Sequence, residues 1–181
     1  LVVETAYPWQ GEVALRFVDA PSRAMTLNLR VPGWCETATV QVGDEAPQPS
    51  KAGYAALHRP WRRGDVVKLS LPMPVRTLVA DPRAEALRGR VAFARGPIVY
   101  CVEQVDQGVP VEELVAAPGT VLAAQERQDL LGGVTVLTGA MLHCKTEPWT
   151  GQKLYRQAPT PVAVPVTLVP YAVWDNRAAG A

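Results

Sequence analysis

Along its first half the chain repeatedly alternates apolar and polar positions with a period of two. Val13, Leu15 and Phe17 fall on one strand face with Arg16 on the other. Met25, Leu27, Leu29 and Val31 alternate with Thr26, Asn28 and Arg30, and Val67, Leu69 and Leu71 with Lys68 and Ser70. Successive strand side chains point to opposite faces, so each pattern predicts a strand with one row on a core and one toward water, the signature of antiparallel sheets. Turn residues punctuate the strands at Pro8 to Gly11, Asp19 to Ser22, Gly43 to Pro49 and Arg63-Gly64-Asp65. Short strands at such regular spacing predict a β-sandwich.

The segment from Asp81 to Gly89 is polar and contains Pro82, and a module boundary is expected there, giving modules 1–80 and 81–181. Strands of the second module are predicted near Val91 to Glu103, Gly133 to Thr138 and Val162 to Val169. Pro165 inside the last run predicts an edge or a bulge, since proline cannot donate to a ladder. The connections Gln104 to Pro118 and Cys144 to Pro161 are irregular, and helical turns are expected at Glu113 to Ala117 and Ala123 to Leu131. The fold class is therefore all-β: two consecutive antiparallel β-sandwich modules of jelly-roll or immunoglobulin-like type.

Composition narrows the function. The 181 residues are 48% hydrophobic, enough for a core, and 18 basic against 17 acidic residues leave a net charge of +1. No basic block stands out, so neither nucleic acid nor an anionic membrane is an expected partner. No apolar run reaches the roughly 20 residues of a membrane span. Leu1-Val2-Val3-Glu4-Thr5 lacks the basic start of a signal peptide and reads as a strand entered in mid-protein. Cys35, Cys101 and Cys144 are odd in number and widely spaced, which fits reduced core thiols and a cytoplasmic setting; location stays unassigned because the native N-terminus is expected to lie upstream.

Candidate chemistry is sparse. The acidic residues fit turns and polar strand faces, where carboxylates are solvated or cap backbone, rather than the paired acids of a glycosidase. Glu103 closes an apolar strand and Glu112-Glu113 lies in a polar connection. His143-Cys144 is the only adjacent pair of soft metal ligands, and the remaining candidates lack zinc spacing. Cys101, between Tyr100 and Val102, reads as a buried strand thiol. Arg63-Gly64-Asp65 matches an adhesion tripeptide but sits where a hairpin turn is needed before Val66. Trp9, Trp34, Trp61, Trp149 and Trp174 could stack on sugar rings, although their large apolar area more often serves packing.

Four motifs together are more specific. Tyr7-Pro8-Trp9 and Arg30-Val31-Pro32-Gly33-Trp34-Cys35 come first. Two β-runs broken by Gly96-Pro97 follow, from Gly89 to Glu103, and then Tyr171-Ala172-Val173-Trp174-Asp175-Asn176-Arg177. In this order and spacing the chain resembles the C-terminal region of glycoside hydrolase family 127, which contains the β-L-arabinofuranosidases. The resemblance implies a helical (α/α) barrel upstream that carries a cysteine nucleophile, a glutamate acid/base and a zinc held by Cys and Glu. The hallmark Cys-Cys-Pro segment would precede Tyr7, so no catalytic role passes to Cys35, Cys101 or Cys144, and no cofactor is expected in this part of the protein. The family also continues beyond Arg177 with a further strand, whose absence would leave one sheet short of an edge.

The expected role is a non-catalytic accessory region whose partner is its own catalytic barrel in cis. The alternative is a stand-alone carbohydrate-binding module, with carbohydrate as partner. Trp149, Trp174, Asn176 and Arg177 are the candidates for carbohydrate or interdomain contact. A third reading, an immunoglobulin-like adhesion domain, would call for secretion signals or disulfides.

Overall fold

The computed structural model describes residues 1–151 and 154–177. It consists of antiparallel strands joined by turns, with single 3-10 turns as its only helical pieces among the described residues. Contacts divide it into two units. The first holds Leu1–Pro74 and Arg95–Pro97, the second Val75–Ala94 and Ile98–Ala181.

Seven strands build the first unit: β1 (Val2–Thr5), β2 (Glu12–Arg16), β3 (Met25–Val31), β4 (Ala38–Val42), β5 (Gln48–Ser50), β6 (Gly53–Arg59) and β7 (Val66–Ser70). A five-stranded sheet runs β1-β2-β7-β4-β5, and β3 pairs with β6 as a second, two-stranded sheet. The alternation decides which faces meet. Leu15, Val40, Val67 and Leu69 from the larger sheet and Leu29 and Val31 from the smaller are buried in one cluster. Trp61 closes this core. It stacks on Phe17 with centroids 4.6 Å apart, and its indole N–H donates to the Met25 carbonyl at 2.9 Å, which satisfies its one polar atom.

In Arg63-Gly64-Asp65 the Asp65 carboxylate accepts from the Arg62 amide at 2.8 Å, and Gly64 has φ +93°. Left-handed backbone at low steric cost is what glycine supplies to a turn. The tripeptide is therefore a tight turn whose aspartate is engaged locally, but not the expected hairpin, because β6 and β7 belong to different sheets.

The second unit contains β8 (Val75–Val79), β9 (Val91–Arg95), β10 (Ile98–Val102), β11 (Leu114–Val115), β12 (Leu122–Arg127), β13 (Val134–His143) and β14 (Val162–Pro170). These form one sheet in the order β11-β13-β14-β10-β9-β8, with β12 also on β13. Its two ends, β12 and β8, touch, so the sheet curls around a core of Phe93, Tyr100, Leu122, Leu137, Met141 and Leu168. The segment Asp81 to Gly89 is the connection from β8 to β9. Gly96-Pro97 is the two-residue turn between β9 and β10. Gly96 has φ +56° and the proline ring fixes a negative φ after it, the combination of a type II′ turn.

Two expectations need correction. Ala123 to Leu131 forms no helical turn: Leu122–Arg127 is strand β12, paired along β13 from Gly139 to Val134. The helix-forming Ala-Ala-Gln-Glu-Arg run is overridden by that ladder and by burial of Leu122. Likewise Glu113 to Ala117 holds the end of a 3-10 turn, Val111–Glu113, followed by β11. The β13 strand also runs past Thr138 to His143 through Gly139, where a Cβ would stand 2.7 Å from Leu122 Cδ2.

Pro165 sits in an interior strand yet obeys the edge rule locally. It pairs with Ala140 of β13, whereas β10 reaches only Leu168–Pro170 of β14. Beyond β10 a side chain continues the ladder. The Gln107 carboxamide donates to the Thr167 carbonyl at 2.7 Å and accepts from the Thr167 amide at 3.4 Å. Thr167 thus turns its backbone polar groups away from β13. Pro165, two residues earlier, faces the same way and has no N–H to satisfy.

Candidate functional site

The last described segment begins where β14 ends at Pro170. A 3-10 turn over Tyr171–Val173 follows, and the Trp174 amide donates to the Tyr171 carbonyl at 3.1 Å. In 3-10 geometry side chains three apart eclipse one another. Tyr171 and Trp174 accordingly stack, centroids 5.9 Å apart and planes 10° from parallel. Both remain open to solvent, at 59% and 51% exposure.

Below this pair lies a buried ion cluster. Asp175 has φ +57°, and its amide donates to Glu103 Oε1 at 2.7 Å. Arg177 Nη2 pairs with Glu103 Oε2, and both guanidinium Nη atoms reach Asp106, at 2.7 and 2.6 Å. Glu103 is the N-cap residue of the 3-10 turn Gln104–Asp106 that follows β10, and Asp106 is the last residue of that turn. Glu103 is only 8% exposed, a burial a carboxylate tolerates when it is paired and hydrogen-bonded. Burial pushes the Asp106 carboxyl upward, opposed by the charge of Arg127. Burial also raises the nearby Cys101 thiol, opposed by Arg177, and that thiol donates to the Val169 carbonyl at 3.7 Å.

A second cluster fastens the start of the long connection after β13. His143 Nε2 and Glu113 Oε2 are 2.6 Å apart, the Thr146 amide donates to Glu113 Oε1 at 2.6 Å, and the Cys144 amide to the Glu113 carbonyl at 2.8 Å. The hydrogen bond with His143, then that from Thr146, hold the Glu113 carboxyl below its ordinary range. His143-Cys144 therefore has its histidine engaged by a carboxylate. Among the described residues no three His, Cys, Asp or Glu side chains gather as a metal site.

The candidate residues have separate fates. Trp174 and Asn176 are exposed on the terminal segment, while Arg177 is turned inward onto the two acids. Trp149, 55% exposed, carries the Arg156 guanidinium 4.7 Å from its ring centroid. Trp61 and Trp34 serve packing, and Trp9 is partly buried. The carboxylates Glu103, Asp106 and Glu113 are less solvated than expected of acidic residues here, although Glu103 and Glu113 do accept from backbone amides. The available signal was Glu103, an acid directly continuing the apolar run Ile98 to Val102.

Comparison with known proteins gives this arrangement its setting. Residues 1–73 match the family "Beta-L-arabinofuranosidase, GH127 middle domain", and residues 75–181 match the "Glycoside hydrolase family 127 C-terminal domain". The chain belongs to glycoside hydrolase family 127. It is 31% identical, over 96% of its length, to the non-reducing end beta-L-arabinofuranosidase of Bifidobacterium longum subsp. longum, and covers 28% of that protein. A solved GH127 beta-L-arabinofuranosidase from Geobacillus stearothermophilus superposes with a TM-score of 0.86 at 40% identity, over 97% of this chain and 28% of the other. A solved GH127 beta-arabinofuranosidase gives 0.82 at 28% identity, over 97% and 29% respectively. The chain thus spans under a third of the length of these relatives.

Proposed function

We propose that the two units are the accessory β-region of a β-L-arabinofuranoside hydrolase, supporting a catalytic domain carried elsewhere in the same polypeptide. The observation that carries this reading is the pair of adjoining matches, to the middle and the C-terminal domain of one family. The low share of the arabinofuranosidase relatives that the chain covers supports it. On this reading the zinc and the nucleophile belong to the catalytic domain. Among the described residues, His143 and Glu113 hydrogen-bond each other and no third ligand joins them, so they do not fit a zinc site.

Trp149, Trp174 and Asn176 are the residues we assign to contact with the catalytic domain or its sugar, and Arg177 acts by holding the terminal segment. The test is hydrolysis of p-nitrophenyl β-L-arabinofuranoside. The complete enzyme is expected to turn it over and the purified 181-residue chain is not. Turnover by the chain alone, abolished by a substitution within it, would overturn the accessory role. A complete enzyme inactive on every arabinofuranoside would overturn the assigned activity.

A further inference from the structure

We propose that Glu113 is an acid-released clasp: its carboxylate holds the first residues of the connection after β13, and its protonation frees them while the sheet of the second unit stays paired. The fastening is concentrated in one residue. The Thr146 amide donates to Oε1 at 2.6 Å and His143 Nε2 lies 2.6 Å from Oε2, so each carboxylate oxygen has its own partner. The Glu113 carbonyl accepts from the Cys144 amide at 2.8 Å. Glu113 directly precedes β11 and His143 ends β13, and these two strands pair with each other. Thr146 lies beyond the ladder, and Lys145 to Gly151 are all exposed. The ion pair of Lys145 with Glu147 and the contacts of Arg156 with the Trp149 ring and the Pro148 carbonyl join residues of the connection to one another. A segment with exposed side chains and few ties to the sheet opens more readily than the strands it leaves.

Charge decides whether the clasp is closed. An ionised carboxylate accepts on both oxygens, whereas a carboxylic acid turns one of them into a donor. The Thr146 amide can only donate, so a proton on Oε1 competes with it, and a proton on either oxygen removes the charge that strengthens both contacts. The hydrogen bonds with His143, then Thr146, hold the Glu113 carboxyl below its ordinary value of 4.5, against the opposing effect of burial. The other charged or titratable groups around it are Lys145, whose charge favours the carboxylate, Glu147, which opposes it, and the neighbouring Glu112 and Cys144. β14, paired with His143 through Val162, carries no charged residue. With the native value depressed, the clasp is fully closed above about pH 4.5 and opens as pH falls through that native value. Trp149 follows Thr146 closely in the chain, so its position is released with the clasp. The clasp itself does not rest on the function proposed above.

Amide exchange in the 181-residue chain, corrected for intrinsic rates, tests the clasp between about pH 6 and about pH 2.5. Thr146 should lose protection about tenfold, the difference between a charge-assisted and a neutral hydrogen bond. It should do so at a higher pH than Val136 and Val169, which lie buried in the paired strands β13 and β14. The Trp149 indole N–H resonance, assigned through Trp149→Phe, should shift with the same midpoint. In Glu113→Gln the Thr146 protection should start about tenfold lower and stay flat with pH, and the native protein should converge on it in acid. Unchanged Thr146 protection across that range, or a loss that coincides with that of Val136 and Val169, would overturn the clasp. So would a Glu113→Gln protein that keeps the native pH profile, because another group would then be titrating. If Glu113→Gln does not fold, the native protein decides, and a Trp149 midpoint above about pH 4.5 overturns the assignment to Glu113.

Discussion

The two units solve the problem of burying a β-sheet face in different ways. The first closes two separate sheets over aliphatic side chains and one satisfied indole, and its ion pairs stay outside. Glu4–Arg16 and Glu45–Arg59 have side chains between 38% and 60% exposed. The second curls one sheet on itself and takes charge inside. The side chains of Arg177 and Glu103 are 18% and 7% exposed, and that of the Glu113 carboxylate, hydrogen-bonded to His143, is 12%. Burying an ion pair seldom stabilises a fold more than apolar packing would, so its use points to placement of a segment as its benefit. What the charges place here are the terminal turn and the beginning of the long connection that carries Trp149.

Substitutions can break that contrast. The largest effect is expected in the first unit: Trp61→Ala removes a ring buried to 3% exposure and should cost about 4 kcal/mol of unfolding free energy. Amide exchange should accelerate within residues 1–74 more than in the second unit. Arg177→Ala comes next, at about 3 kcal/mol, because it leaves Glu103 charged and unpaired in a dry site. Arg177→Lys should recover only part of that loss, since an ammonium cannot span both acids as the guanidinium does. Chemical denaturation measures both, and an Arg177→Ala cost below that of an exposed pair would remove the distinction between the units.

A smaller effect depends on pH. Glu113 has its native value depressed below an ordinary value of 4.5, chiefly by the hydrogen bond with His143. Its contribution is therefore complete above about pH 4.5 and is lost as pH falls through the depressed native value. The stability difference between the native protein and Glu113→Gln should shrink across that acid window. Asp129, held at about 2 by its hydrogen bond with Arg127, titrates mostly below it. A difference independent of pH would show that the Glu113 charge contributes nothing. The smallest effect belongs to the surface: Arg16→Ala should change stability by less than about 1 kcal/mol, and less still in high salt.

These contrasts were unequally legible in the sequence. The first unit could be read because its strands have one wet and one dry face, so Leu27, Leu29 and Val31 announce their side of the sheet. The second unit hides its logic in partners distant along the chain. Nothing local to Glu103 says that its cation lies at position 177, and the Ala123-Ala124-Gln125 run looks helical until β13 is placed beside it. Arg177 and Trp174 stand out in the sequence only as parts of one motif, and the acids that Arg177 pairs with, Asp106 and Glu103, lie 71 and 74 residues away.

The carboxamide of Gln107 has a consequence for solubility. Where β10 stops, β14 would otherwise present the Thr167 amide and carbonyl as an open notch to any extended peptide, the template from which runaway strand addition begins. Gln107 occupies both groups, and Pro165, the next residue facing that way, has no hydrogen to lend. Together a side-chain amide and a ring nitrogen leave Thr167 and Pro165 without a free donor along that stretch of edge. Blunting the edge is thus shared between Pro165 and a glutamine 60 residues from Thr167 in sequence.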